Sequence, residues 1–440
     1  MSITTNETIR TVELAEHIGE HVRLRGWLHA IRRLGGINFL LLRDGWGIAQ
    51  AVISEESALA PLQAAGAGAE SIIALEGEVV ASEQAPAGVE LHNPQITLLN
   101  AVTETLPAAM HKRALKTSLP TLLDHAVVLN RHPSRRAIFR LAAAVMAGFR
   151  QTLLMKHFTE VQTPKIVASA TEGGANVFPV SYFAQTAYLA QSPQFYKQIM
   201  VGVFERVFEV GPVFRAEQHN TSRHINEYVS LDVEFGFIEN HFTVMALLQE
   251  VVAGILAQLS EQCAAELALL EAKVPTLPAQ IPHIHFAEAR ELVSLAGGIN
   301  LRGEADLTPE AERWLGRWAQ AEHGSDFLFV TGYPMVKRPF YTHPEVNRPE
   351  FSNSFDLLFR GTELVTGGQR LHRYADYQGA LAAAGLPEAP FATYLEAFRY
   401  GMPPHGGFAI GLERFLMQLL GLPNIRLATL FPRDLDRLAP

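Results

Sequence analysis

The stretch from 204 to 234, FERVFEVGPVFRAEQHNTSRHINEYVSLDVE, constrains this chain more than any other. Residues 207–210 and 213–215 alternate with β-favouring side chains, and 228–234 does so again. The segment therefore predicts two strands joined by a polar loop. That loop holds Arg215, Glu217, His219, Arg223, His224 and Glu227. A loop so charged between two apolar strands makes a poor core element. Either its charges neutralise one another on a solvated hairpin, or they meet an anionic ligand.

At 440 residues the chain is longer than one ordinary domain, so two or more are expected. Hydrophobic residues at 48% and charged residues at 18% exclude a disordered chain. No run approaches the ~18 apolar residues of a membrane span. The opening MSITTNETIRTVEL lacks a basic-then-apolar targeting pattern, which predicts a cytoplasmic protein. The single cysteine, Cys263, excludes an internal disulfide and a cysteine-rich zinc site, and reads as a small buried hydrophobe. A formal net charge of −9 does not suggest a nucleic-acid partner. Local basic clusters are what meet phosphates, however, and two exist: Arg23, Arg25, Arg32, Arg33 and Arg43, then Lys112, Arg113, Lys116, Arg131, Arg135 and Arg136.

Residues 1–103 carry short alternating runs at 22–29, 38–43, 48–53, 71–81 and 89–99, with Gly35-Gly36 and Asp44-Gly45 as turns. Five short strands in so short a span predict a small closed barrel of the OB type. A basic, proline-punctuated segment, 104–133, reads as a hinge or linker. After it, 134–159 predicts a long amphipathic helix started by a Ser134 cap, closed by a strand ending at Pro164. Further helices are expected at 243–270, 305–322 and from about 411 to 420. The fold class is multidomain α+β: the barrel, the hinge, and a large domain over 134–440 with a mostly antiparallel sheet.

Arg-x-Glu at 215–217, Arg-His-x-x-Glu-Tyr at 223–228 and Asp-x-Glu at 232–234 closely resemble motif 2 of class II aminoacyl-tRNA synthetases of the aspartate, asparagine and lysine subgroup. Residues 158–164, FTEVQTP, look like motif 1, which in that family forms a homodimer interface. Residues 404–414, PHGGFAIGLER, look like motif 3. Within the subgroup, 191–197 (QSPQFYK) and 365–370 (VTGGQR) resemble the amino-acid pocket of the aspartyl enzymes. The resemblance implies that Lys197 and Arg370 take the side-chain carboxylate of L-aspartate. Glu172 and Asp232 would take its ammonium, with Ser192 and Gln194 beside them. The chemistry agrees, because a buried carboxylate needs cationic donors and arginine offers a bidentate fork. Taken by itself, Glu172 before two glycines is equally compatible with a surface loop.

For ATP, the same resemblance implies Arg215 on the α-phosphate and Glu217 on the adenine or metal side. His224 and Arg223 would lie by the outer phosphates, Tyr228 would stack on adenine, Gly411 would permit close approach, and Arg414 would take the γ-phosphate. Arg215 and Arg414 are thus the catalytic expectation. Asp356 and Glu363 match the family's Mg²⁺ carboxylates, a ligand type that this ion prefers. No side chain is expected to act as nucleophile or general base; catalysis would come from positioning and charge neutralisation.

The same resemblance implies that the barrel reads the anticodon, with Phe39 stacking on a base, Gln50 on its edge, and Arg32 or Arg33 nearby. Phe39 followed by three leucines is also what a core strand looks like. The segment between motifs 2 and 3 lacks the large insertion of the bacterial type, so the resemblance is to the compact archaeal/eukaryotic-like enzymes. Members with His after the Gly-Trp-x strand and Pro in a later barrel loop tend to charge tRNA-Asn as well as tRNA-Asp. His29 and Pro86 match that pair. The expected partners are tRNA-Asp, tRNA-Asn and a second copy of the chain, with a tRNA-dependent amidotransferase admitted and no membrane. The alternatives are an enzyme restricted to tRNA-Asp, an asparaginyl-tRNA synthetase, and a non-catalytic or tRNA-independent paralogue.

Overall fold

The computed structural model describes residues 8–168, 177–218 and 220–439. They form two compact units that divide between His132 and Pro133.

In the first unit, β1 (His21–Leu34), β2 (Ile37–Arg43), β3 (Ile48–Ile53), β4 (Ile72–Ala81) and β5 (Val89–Asn100) close into a barrel ordered β1-β2-β3-β5-β4. Alternation places Leu24, Leu40, Leu42, Ala51, Leu75 and Leu91 inside. Strand β1 runs five residues past the expected His29, because 31–34 stay paired to β2 while lying exposed on both faces. The period-2 signal therefore ends before the strand does. Gly35 and Gly36, at φ +55° and +89°, make the turn that only such residues make without strain. Asp44 fixes the next loop by accepting from the backbone N–H of Thr11, Trp46 and Gly47.

In the second unit the strands are β6 (Thr159–Glu160), β7 (Ile166–Val167), β8 (Pro179–Tyr182), β9 (Gln185–Leu189), β10 (Arg206–Phe214), β11 (Glu227–Gly236), β12 (His283–His285), β13 (Phe327–Thr331), β14 (Ser354–Phe359), β15 (Thr362–Gln369) and β16 (His405–Gly411). Eight form one sheet, ordered β12-β13-β14-β15-β16-β11-β10-β6, antiparallel except at its two edges. Strands β7, β9 and β8 make a small separate sheet. Period 2 sorts the large sheet. Phe208, Val210, Leu231, Val233, Phe355, Leu357, Phe408 and Ile410 join one apolar core. Glu209, Ser230, Asp232, Glu234, Asp356 and Gly407 alternate with them and so point to the other face.

The first long helix is Pro133–Met155, shorter than expected and begun at Pro133 rather than capped by Ser134. A turn with His157 at φ +63° ends it and sends Phe158 into the core. The expected 243–270 helix is two helices, His241–Gln262 and Ala264–Leu269, broken where Cys263 leaves helical geometry at φ −126°. The third is Pro309–His323, capped by Thr308. Contrary to the sequence expectation, Pro133–Met155 and His241–Gln262 are long and apolar enough to cross a membrane. About half of each apolar window is buried within the fold, however, where the two helices supply the core beneath the sheet.

These helices cross closely at Gly148, where an added Cβ would lie 2.9 Å from Ile255 Cα and 3.1 Å from the Gly254 carbonyl. Gly148→Ala should therefore overpack the crossing and cost about 1–3 kcal/mol. Urea unfolding checks this, with a lower midpoint and an unchanged slope expected.

Candidate active site

A cavity of about 440 Å³ opens on the polar face of the large sheet, a size suited to small-molecule ligands. Strand β10 ends at Phe214, and Arg215 follows it, its N–H donating to Asn226 O at 2.9 Å. The Arg215 guanidinium stands 5.8 Å from the Tyr228 ring centroid. His224 is oriented at both ring nitrogens, by Thr221 Oγ1 at 2.6 Å and by Glu217 at 3.3 Å. Strand β16 ends at Gly411, and Arg414 lies in the first turn of the helix Leu412–Leu420. Arg215, Glu217, Arg223, His224, Tyr228, Glu363, Gly411 and Arg414 all line this cavity. Its other end is lined by Ser192, Gln194, Lys197, Asp232 and Arg370. Glu172 lies outside the described residues.

That second end is a buried four-charge cluster. Lys197 Nζ donates to Asp232 Oδ1 at 3.0 Å and lies 3.4 Å from Glu234 Oε2. Arg370 Nε donates to Glu234 Oε1 at 2.9 Å, and Nη2 reaches the Gly407 carbonyl at 3.1 Å. Burial alone would lift the Glu234 carboxyl; the Arg370 and Lys197 charges overcome that and hold it below the usual carboxylate range. Gly407 is obligatory here, because a Cβ would come within 2.0 Å of the Val233 carbonyl and 2.3 Å of Glu234 Oε2. Beneath the cluster, Gln198 joins His405 and the Tyr377 and Tyr394 hydroxyls. Burial pushes His405 down to about 4, so near neutrality its ring is uncharged. Gln194, 5% exposed, has its amide nitrogen without a hydrogen-bond partner, a buried group left open toward the cavity.

Glu234 was not among the residues expected in the pocket. The Asp-x-Glu spacing does put it on the same strand face as Asp232, and that was the available signal. Glu413, also unexpected, lines the cavity beside Gly411 and Arg414. Burial lifts its carboxyl to about 7, and it accepts from the Val229 N–H at 3.2 Å.

Asp356 lies buried on β14, and Glu363 sits on β15 across a two-residue turn, Arg360-Gly361, with φ +49° and +73°. Asp356 accepts from Arg338 at 3.1 Å, and Glu363 lies 3.5 Å from Arg414. Burial lifts Asp356 to about 6, with Glu363 adding repulsion. Burial likewise lifts Glu312, on Pro309–His323, to about 7, again with Glu363 adding to it. Crowded carboxylates of this kind suit a divalent cation, so the residues fit Mg²⁺. No group of three or more metal-ligating side chains is preformed among the described residues. A cation here would therefore complete its shell with phosphate oxygens and water, as Mg²⁺ does.

On the barrel, described by itself, Phe39 is half-buried on the outer face, opposite Val52 and Arg32. Gln50 donates to Glu90 at 2.9 Å, and Glu90 also meets His92 at 3.1 Å. Arg32, Phe39 and Gln50 thus share one surface, to which the structure adds Glu90. His29 is 6% exposed and lies near Arg43, His132, His111 and Arg32, with burial pushing it down to about 4. Pro86 opens a short turn, Pro86–Gly88, leading directly into β5.

A family described as tRNA synthetases class II (D, K and N) matches residues 118–435, and an OB-fold nucleic acid binding domain matches 22–99. The aspartate--tRNA(Asp/Asn) ligase of Deinococcus radiodurans is 48% identical over 98% of both chains. The ligase of the same name from Thermus thermophilus is 46% identical over 97% of this chain and 99% of that one. Asparaginyl-tRNA synthetase of Pyrococcus horikoshii, solved with asparaginyl-adenylate, superposes with a TM-score of 0.90 at 32% identity, covering 99% of this chain and all of that one. Aspartyl-tRNA synthetase of Entamoeba histolytica gives 0.87 at 32%, over all of this chain and 94% of that one. The chain belongs to the class II tRNA synthetases of the D, K and N group. It is an aminoacyl-tRNA synthetase, a ligase of a family that uses ATP.

The four-charge cluster carries a direct stability consequence. Glu234→Gln removes the charge between two buried cations and should cost about 3–5 kcal/mol, the range for breaking a buried pair. Guanidinium denaturation measures the loss, and a change within about 0.5 kcal/mol would show the cluster to be uncoupled.

Proposed function

We propose that this synthetase attaches L-aspartate to tRNA-Asp and, through the same site, to tRNA-Asn. The fold does not choose the amino acid, since asparaginyl and aspartyl enzymes both superpose on it. The charge balance of the pocket carries the choice. Lys197 and Arg370 stand against Asp232 and Glu234, so the cluster is neutral as built. A bound L-aspartate brings one ammonium, for Asp232, a side-chain carboxylate, and an α-carboxylate that both amino acids share and that lies toward Arg215 and the nucleotide, outside this balance. Two cations then face Glu234 and the side-chain carboxylate, and the charges balance. Asparagine leaves the cations against Glu234 alone, an excess buried charge worth several kcal/mol.

In this reading the substrate's α-carboxylate attacks the α-phosphorus of ATP in line, and pyrophosphate leaves. The terminal adenosine hydroxyl of tRNA then takes the aspartyl group, and AMP leaves. Arg215, braced beside Tyr228, neutralises charge at the α-phosphate; Arg223, His224 and Arg414 hold the outer phosphates; the Tyr228 face takes adenine. Asp356 and Glu363 would hold Mg²⁺, which when bound supplies further neutralisation of the phosphates. Orienting the reactants accounts for much of the rate, so no general base is assigned.

The relatives named for both tRNAs support the wider specificity. His29, being buried, would act on the anticodon face by shaping β1, and Pro86 by setting the turn that delivers Glu90 beside Gln50. A homodimer through motif 1 is supported by Met155, Phe204 and Phe237, large apolar side chains left exposed around Phe158 and the ends of β10 and β11. Aspartyl-tRNA-Asn would need a tRNA-dependent amidotransferase as a downstream partner, and the cytoplasm is the place of action this reading assigns.

Labelled aspartate, offered with tRNA-Asp and tRNA-Asn transcripts separately and with asparagine as the control, should charge both. Arg215→Ala should lower kcat about 10²–10³-fold on each. Charging of tRNA-Asp alone would withdraw the claim for tRNA-Asn, and no aspartate transfer to either would overturn the pocket argument.

A further inference from the structure

Both carboxylates assigned to Mg²⁺ already sit in ion pairs, and each partner is an arginine of the cavity wall. Glu363 is held by Arg414, which also donates to the Glu363 carbonyl at 3.1 Å. Asp356 is held by Arg338, a residue that the sequence motifs do not single out. Arg338 follows the short turn Met335–Lys337 and reaches across to β14. Its guanidinium packs 4.2 Å from the Tyr333 ring centroid, and its side chain is only 11% exposed. One Nη donates to Asp356, whereas the buried Nε has no hydrogen-bond partner. The same side chain lines the cavity together with Arg215, Arg223 and Arg414.

A carboxylate as buried as Asp356, 4% exposed, needs a counter-charge at all times. One guanidinium supplies it here, and a divalent cation would supply it in the loaded enzyme. The two cannot occupy the Asp356 oxygens on equal terms. Two cations around one buried carboxylate repel, and the Arg338 hydrogen bond takes up part of the acceptor capacity of Oδ1 that a metal would use. Resting on the reading of Asp356 and Glu363 as the Mg²⁺ carboxylates, we propose that Arg338 is an internal counter-ion that keeps Asp356 from binding a divalent cation until nucleotide phosphates draw the arginine away. Arg338 is then a positioning residue with two stations, Asp356 in the empty enzyme and a phosphate oxygen in the loaded one. Its Nε, without a partner in the first station, is available to the second. Metal and ATP are thereby made to bind together: the carboxylates exchange arginines for the cation as the arginines exchange carboxylates for phosphate. Either ligand alone must displace a buried ion pair without replacing both of its halves.

The test is Mn²⁺ binding to nucleotide-free enzyme at pH 8, with free Mn²⁺ counted by electron paramagnetic resonance. Removing a competing charge-assisted hydrogen bond should raise affinity, so Arg338→Met should bind Mn²⁺ about tenfold to a hundredfold more tightly than the parent. Arg338→Lys should restore the weak binding, and Asp356→Asn should abolish the site in either background. Arg338→Gln replaces the Met variant if that variant does not fold, as judged by a thermal melt. An arginine that merely held the fold together would weaken the site when removed, not tighten it. Unchanged or weaker binding by Arg338→Met, at a site that Asp356→Asn still abolishes, overturns the proposal and leaves the metal assignment standing. Binding that Asp356→Asn does not affect, with ATP present or absent, overturns both.

Discussion

The catalytic unit depends on a balance of four charges buried on one face of its sheet. Lys197 comes from the helix Gln194–Phe204, Asp232 and Glu234 from β11, and Arg370 from just past the end of β15, and each is nearly inaccessible to water. Such a cluster contributes little to stability, because desolvation offsets most of the attraction between opposite charges. In the proposed reading it contributes specificity instead. Remove one member and an uncompensated charge remains in the interior; bring in a ligand of matching charge and the balance is kept. The Gln198, His405, Tyr377 and Tyr394 network beneath it satisfies its own donors and acceptors, so the ion pairs rest on a support with few alternative arrangements.

The sheet makes that balance possible. One face is apolar and packs on two long helices, and the other is polar and lined by ligand-directed groups. Strand β11 shows the principle in ten residues, with Leu231, Val233 and Phe235 to the core and Ser230, Asp232 and Glu234 to the polar face, where the first two line the cavity. Gly407 lets β16 approach β11 where Glu234 needs room. The arrangement is therefore a property of backbone spacing as much as of charge.

Much of this was legible in the sequence, and the reasons are local. The alternation in 228–234 names both the strand and its polar face, and the glycines of 404–411 announce a close approach. The charged loop between β10 and β11 stands out as a poor core element. What escaped was non-local or aperiodic. The end of β1 carries no alternation, since residues 31–34 are exposed on both sides. The break at Cys263 depends on backbone geometry that helix-favouring neighbours conceal. The ion pair of Arg338 with Asp356 joins residues eighteen apart through a turn that no local pattern encodes. Glu234 stands in the motif as plainly as Asp232, but a second acid beside two cations has a role only once their distances are known.

The claim that the pocket selects aspartate by charge is tested most directly by amino-acid-dependent exchange of pyrophosphate into ATP, without tRNA. Comparing L-aspartate with L-asparagine isolates one carboxylate against one amide in the same volume. The account predicts that kcat/KM favours aspartate on the order of 10³-fold or more. Comparable exchange with asparagine would contradict it, and would mean that the four buried charges serve the fold and not the choice of substrate.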